Sequence, residues 1–226
     1  MTQEIIYAYL KNHPLFSNAT EQMIAESTGK MKIKTVNRGE TFGYGDGDYS
    51  KVYLLIKGKI KIAELNSDSN ELIKDILTSP DIFGDLSMDG SPDADEYAEA
   101  LMANTIVCVV NSSDLRKMVN EIPGMAMAYV SMVNGKLKKM ESRHSDLVFC
   151  DAKARLIRFI KNWAQDDGNR IGDKIVLDNY LTHTDIANVI ATSRQSVNVL
   201  LNELRDAGLL FYNRKRIELN NLVTWN

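Results

Sequence analysis

Hydrophobic spacing divides the chain into three stretches. In residues 3–29 it is helical: Ile5, Ile6, Tyr9 and Leu10 fall on one face, Pro14 interrupts, and Leu15-Phe16 anchors the chain before a second segment, Thr20 to Ser27. From about Met31 to Val110 the period is two. Met31 and Ile33 alternate with Lys32 and Lys34; Ile60 and Ile62 alternate with Lys59 and Lys61, which places those lysines on a wet face. The unbroken apolar runs VYLLI (52–56) and IVCVV (106–110) predict strands buried on both sides. Turn signals at Arg38-Gly39, Gly45-Asp46-Gly47, Lys57-Gly58 and Asn66-Ser67-Asp68 cut this stretch into many short strands, which implies a sandwich or barrel-like roll.

Beyond residue 111 the spacing is helical again. Ser112 or Ser113 is expected to cap a short helix and Pro123 to start a longer one. In the longer helix Ala126, Val130, Val133, Leu137, Met140, His144 and Leu147 follow a 4-3-4-3 heptad seam. The seam fits either the chain's own roll or a second copy. His144 reads either as a neutral, hydrogen-bonded side chain or as a pH-sensitive element of a dimer. Asp151 caps a further helix with Leu156, Phe159, Ile160 and Trp163 on its core face. Gln165 to Asp173 reads as a polar loop, and residues 175–177 as a short strand.

The stretch from Leu181 to Leu210 carries the most chemistry. Thr182 and Asp185 have capping-box spacing, and Ile186, Val189 and Ile190 give one apolar face. Ala191, Thr192 and Ser193 break the run. Ser193 then caps a second helix with Val197, Leu200, Leu201 and Leu204 inward and Arg194, Gln195, Asn198 and Asn202 outward; Gly208 ends it. Arg pairs with guanine O6 and N7, and Gln or Asn with adenine N6 and N7, so this face suits a major groove. The run LLFYNRKRIEL predicts a β-hairpin wing with Arg214-Lys215-Arg216 at its tip. That cluster fits either phosphate contact or a solvated tip.

TSRQSVNVLLNELRDAGLL resembles the recognition helix of the CRP/FNR superfamily of bacterial transcription regulators, on Ser193, Arg194, Gln195, Ser196, Val197, Leu201, Leu204, Gly208 and Leu209. NRGETFGYGDGDYSKVYLLIKGKIKIAEL is similar to the cyclic-nucleotide-binding-type roll of the same superfamily, with Gly39, Gly47 and Gly58 at its turns. The resemblance implies an α+β chain: an antiparallel, jelly-roll-like β-roll with flanking helices as sensor (1–121), a dimerisation and linker helix (122–150), and a winged helix-turn-helix (151–226). It implies a parallel two-fold homodimer on the seam and an inverted-repeat operator in double-stranded DNA. It also admits RNA polymerase as a protein partner. By the same resemblance Arg194 faces guanine. Gln195, Ser196 and Asn198 face bases or backbone beside Ser193, and Thr182, His183 and Thr184 face phosphates. Members that read the catabolite-activator operator carry Glu and a second Arg where this chain has Gln195 and Val199, so its half-site should differ from theirs.

In cyclic-nucleotide binders of this family a cassette opens with F-G-E-L at a short helix start and closes with Arg followed by Ser or Thr. Here Phe83, Gly84, Asp85, Leu86 and Ser87 match the opening, but the closing positions align with Glu96 and Tyr97, followed by Ala98. No Arg lies between Arg38 and Arg116. A carboxylate there repels a cyclic phosphate and the bidentate donor is missing, so cAMP is not expected in the standard manner. The acidic run Asp89, Asp93, Asp95, Glu96 and Glu99 either admits a cationic or neutral effector or solvates a loop.

Composition narrows this picture. With 226 residues, 44% hydrophobic, the chain suffices for one large or two moderate domains. The net charge of −3 does not advertise a nucleic-acid binder, but residues 151–226 carry +2 and residues 1–150 carry −5. Two distant cysteines exclude a disulfide framework and an iron–sulfur cluster; Cys108 reads as core. No cofactor or metal is implied, and a small-molecule effector stays open. No enzyme motif appears. With no leader-like segment and no long apolar run, the expected setting is the cytoplasm, off the membrane. The rival reading is a nucleotide-responsive signalling module acting through a protein partner.

Overall fold

In the computed structural model the described residues are 2–42, 51–68, 70–88 and 96–220. The expected turn at Gly45-Asp46-Gly47 and the acidic positions Asp89, Asp93 and Asp95 lie outside them. The chain divides into two units, residues 1–139 and 140–226.

The first unit opens with α1 (Thr2–Asn12), a 3₁₀ turn (Pro14–Phe16) and α2 (Glu21–Thr28). Ile6 and Leu10 are buried on α1, but Ile5 is half exposed, so the apolar face is narrower than its spacing suggests. Eight strands follow: β1 (Met31–Val36), β2 (Thr41–Phe42), β3 (Lys51–Lys57), β4 (Lys59–Leu65), β5 (Glu71–Thr78), β6 (Asp81–Gly84), β7 (Glu96–Ala100) and β8 (Thr105–Asn111). They form two antiparallel four-stranded sheets, ordered β1-β8-β3-β6 and β2-β7-β4-β5.

The first sheet is covered on both faces, as its unbroken apolar runs require. Val52, Leu54, Ile82, Cys108 and Val110 pack with the helices. Leu55, Phe83, Val107 and Val36 pack with Ile60, Ile62, Leu77, Ala98 and Ala100 of the second sheet. The chain continues through α3 (Ser112–Glu121) into α4 (Met125–Phe149). Neither expected helix start holds. Asn111, not a serine, is the α3 N-cap, without a side-chain hydrogen bond. α4 begins two residues after Pro123, because Gly124 sits at φ +75°.

The second unit follows the end of α4 with α5 (Ala152–Asp167), β9 (Asn169–Ile171), β10 (Lys174–Asp178), α6 (His183–Val189), α7 (Arg194–Asp206), β11 (Leu210–Tyr212) and β12 (Arg216–Asn220). Its sheet order is β11-β12-β10-β9. Asp151 caps α5, its carboxylate accepting from the Ala154 amide at 2.7 Å. The stretch 165–173, expected to be loop, supplies the last turn of α5 and the edge strand β9, which is exposed throughout and so carries no hydrophobic alternation. Leu156, Ile160, Leu177, Ile186, Val197, Leu201, Leu204, Ile217 and Leu219 are buried in this unit.

Candidate nucleic-acid interface and sensor roll

α6 and α7 are set by local hydrogen bonds. The Thr182 hydroxyl accepts from the Asp185 amide at 3.1 Å, and the Asp185 carboxylate accepts from the Thr182 amide at 2.7 Å, completing a capping box. Ala191 turns the chain at φ +51°, and the Thr192 amide closes the turn on the Ala187 carbonyl at 3.0 Å. Ser193 then caps α7, accepting from the Ser196 amide at 3.0 Å. At the far end Gly208, at φ +71°, donates to Arg205 and Leu209 donates to Leu204, the paired bonds of a Schellman stop. A non-glycine residue at Gly208 would have to enter the left-handed region.

One face of α7 is buried through Val197, Leu201 and Leu204, and Arg194, Gln195 and Asn198 are exposed on the other. The predicted residues do not all present free polar groups. The Ser193 and Ser196 hydroxyls lie 2.8 Å apart and bond each other. The Thr182 hydroxyl donates to Asp185 at 2.7 Å as well as accepting from its amide. Thr184 is exposed at the start of α6. His183 is half-buried, with its ring 5.6 Å from that of Tyr212. Burial, then the positive charge of Arg194, hold its imidazole below the ordinary histidine range. Asn202, expected outward, is half-buried and accepts from the Tyr212 hydroxyl at 3.1 Å. The wing tip is held by Asn213, whose carboxamide oxygen accepts from the amides of Lys215 (2.8 Å) and Arg216 (3.0 Å). Of the basic cluster, Arg216 is paired with Glu218 at 2.6 Å, and Arg214 and Lys215 stay exposed on the turn.

In the roll, Phe83 and Asp85 are buried, and Gly84 sits at φ +99°. A β-carbon on Gly84 would lie 2.4 Å from the Lys51 carbonyl oxygen, so the close approach of β3 and β6 needs glycine. Leu86 and Ser87 follow in a bend rather than a helix start. The Leu86 amide bonds back to Gly84 and the Ser87 hydroxyl donates to Asp85 at 2.8 Å, local bonds that compete with a helical turn. Tyr129 of α4 donates to the Leu86 carbonyl; burial, then the Asp85 charge, pushes this phenol up to about 12.

The closing positions are engaged within the second sheet. Glu96 accepts from Lys74 at 3.1 Å, and Lys74 also contacts Glu64 at 2.7 Å. Tyr97 donates to Glu71. Lys61, expected on a wet face, is only 5% exposed: its ammonium lies 2.7 Å from Glu71 and 2.8 Å from Glu99. Alternation along β4 identified its face but not the carboxylates on β5 and β7 that cover it.

A cyclic nucleotide-binding domain model matches residues 33–121, and a Crp-like helix-turn-helix domain model matches residues 154–223. The chain belongs to the CRP/FNR family of transcription regulators. Among its CRP/FNR relatives is the global nitrogen regulator of Synechococcus elongatus, 27% identical over 85% of this chain and 87% of that protein. Another is the CRP-like cAMP-activated global transcriptional regulator of Mycobacterium tuberculosis, 27% identical over 86% of each. The fold is shared with a CooA mutant from Carboxydothermus hydrogenoformans at a TM-score of 0.73, with 24% identity over 87% of each chain. As a CRP/FNR protein the chain is a DNA-binding transcription regulator; the relatives it matches are regulators, not enzymes. Among the described residues no helix is long and apolar enough to cross a membrane.

The heptad seam of α4 is largely uncovered within the chain. Ala126, Val130, Leu137, Met140, His144 and Leu147 are exposed, and only Val133 packs against the roll core. Met125, Tyr129 and Met132 pack on that core, and Lys136 pairs with Asp81 of the roll at 2.7 Å. At 100° per residue, that inward face lies about a quarter-turn from the seam. Val148 (61% exposed) and Phe149 (83%) extend the apolar surface at the end of α4, outside the 4-3 spacing that found the rest.

Proposed function

We propose that two copies of this chain associate in parallel through the exposed α4 seam and bind an inverted-repeat operator. Arg194, Gln195 and Asn198 of each α7 enter successive major grooves about 34 Å apart. The observation that carries this reading is the outward face of α7: three exposed side chains with major-groove donors and acceptors on a helix whose other face is locked into the core. Arg194 reads guanine. Thr184 and the helix amides near Thr182, His183 and Ser193 meet phosphates, as do Arg214 and Lys215 of the wing. The seam supports the dimer because six of its seven heptad positions are exposed, and five of those, all but His144, would otherwise leave apolar surface in water.

The roll does not take cAMP in the standard manner. Glu96 stands where the phosphate-binding Arg belongs and is paired with Lys74, so an incoming phosphate meets a carboxylate rather than a guanidinium. The dimer then holds its DNA-competent state without effector, or responds to one of different charge.

The test is selection of random duplex DNA by the ligand-free protein, with Arg194→Ala alongside. A two-fold palindrome is expected from the native chain. The variant should relax one symmetric position at a cost of about 1–3 kcal/mol per half-site. Recovery of the same palindrome with the same stringency by both proteins would remove Arg194 from base reading. No enrichment with the native chain alone would remove the effector-free variant; no enrichment with cyclic nucleotides and a panel of cationic and neutral small molecules added as well would remove the operator reading.

A further inference from the structure

One guanidinium joins separate pieces of the C-terminal unit. Arg155, in the first turn of α5, donates from Nη1 to the Cys150 carbonyl at 2.7 Å, from Nε to the Ile190 carbonyl at 2.8 Å and from Nη2 to the Ala191 carbonyl at 3.1 Å. Cys150 directly follows the last residue of α4, and Ile190-Ala191 is the turn between α6 and α7. The Ile190 carbonyl belongs to a helix end, where oxygens lack intrahelical partners. Ala191 holds the left-handed conformation that L side chains rarely adopt. Two more ties run along the same helix: Arg158 pairs with Asp146 of α4, and Lys153 with Glu203 of α7 at 2.9 Å. Those pairs are exposed in part and individually weak. Arg155 is half-buried, and its rigid planar fork aims three N–H groups at three carbonyls, which a lysine's single ammonium cannot reproduce.

We propose that Arg155 is a positioning residue for DNA reading: it fixes the helix-turn-helix to the end of α4 and so sets the distance between the two half-sites that a dimer accepts. This rests on the proposed homodimer and inverted repeat. Affinity for one half-site depends on α7 itself. Preference for one spacing depends on how firmly α7 is held to the helix that joins the two copies.

The experiment uses the full chain and the palindrome selected by the native protein. Binding is measured to that DNA, to versions with the half-sites one base pair closer or farther apart, and to a single half-site. The variants are Arg155→Lys and Arg155→Gln, each alone and with Ala191→Gly, which relieves the left-handed turn without restoring the clamp. The native chain should prefer its own spacing over both alternatives. In the Arg155→Gln, Ala191→Gly protein that preference should fall about tenfold, with single half-site affinity within about twofold of native. Arg155→Lys should behave like Gln. Full spacing preference in the variants overturns the proposal. So does a loss of half-site affinity as large as the loss of preference, which would make Arg155 only a support of the turn. If the native chain selects no palindrome, the dimeric-operator reading fails first and takes this one with it.

Discussion

Lys61→Met should cost the N-terminal unit about 2–3 kcal/mol. The ammonium is 5% exposed and holds Glu71 at 2.7 Å and Glu99 at 2.8 Å, on the strands either side of its own. Burial by itself would push this ammonium down; the hydrogen bonds and charges of the two glutamates outweigh it, and the net direction is up. Removing one partner of a buried ion pair typically costs about 3–5 kcal/mol, because the remaining charge is left uncompensated. Here the glutamate side chains keep 17% and 25% exposure and can partly rehydrate, so the cost falls at or just below the bottom of that range. With a urea slope of about 2 kcal/mol/M, the midpoint should fall by about 1–1.5 M. Neither tryptophan lies in residues 1–139, and Trp163 is buried in the C-terminal unit, so tryptophan fluorescence does not follow the N-terminal unit while far-UV circular dichroism follows both. The dichroism midpoint should drop while the fluorescence midpoint stays. Lys61→Met with Glu71→Gln and Glu99→Gln removes all three charges and should recover most of the loss. An unchanged dichroism midpoint in Lys61→Met, or a triple variant as unstable as the single one, would refute the reasoning.

Three further outcomes are expected. Burial pushes His13 down to about 4. Its contribution is therefore complete above the unfolded value of about 6.5 and is lost as pH falls through the folded one. His13→Asn, which keeps an acceptor for the Leu15 amide, should flatten the pH 7 to pH 5 change in the stability followed by dichroism by about 2 kcal/mol; an unaltered slope would count against it. Thr182→Ala removes the hydroxyl that accepts from the Asp185 amide and donates to its carboxylate, while the backbone amide of residue 182 keeps its bond to that carboxylate; the stability followed by fluorescence should fall by about 1 kcal/mol, leaving the N-terminal unit untouched. Leu137→Glu places a charge at a 46%-exposed seam position and should yield monomers by light scattering; an unchanged dimer mass would move the interface elsewhere.

Most of the architecture was legible in the sequence because its signals are local. Period-two runs marked the roll strands, Thr182 with Asp185 marked the start of α6, Ser193 that of α7, and Gly208 its stop, each through bonds spanning a few residues. The outward set Arg194, Gln195 and Asn198 followed from helical periodicity once those limits were known. Strand β9 was missed because an exposed edge strand has no hydrophobic period to show. The start of α3 was misplaced because Asn111, Ser112 and Ser113 have equal capping credentials, and that of α4 because Pro123 does not reveal that Gly124 turns left-handed.

What only the tertiary structure decided is which polar groups meet across distant segments. Nothing near Lys61 in sequence reveals that β5 and β7 bring Glu71 and Glu99 over it. Nothing near Arg155 reveals that residues 35 and 36 positions away offer it their carbonyls. Periodicity assigns a side chain to a face; whether that face is wet, buried or paired depends on the strands and turns folded against it.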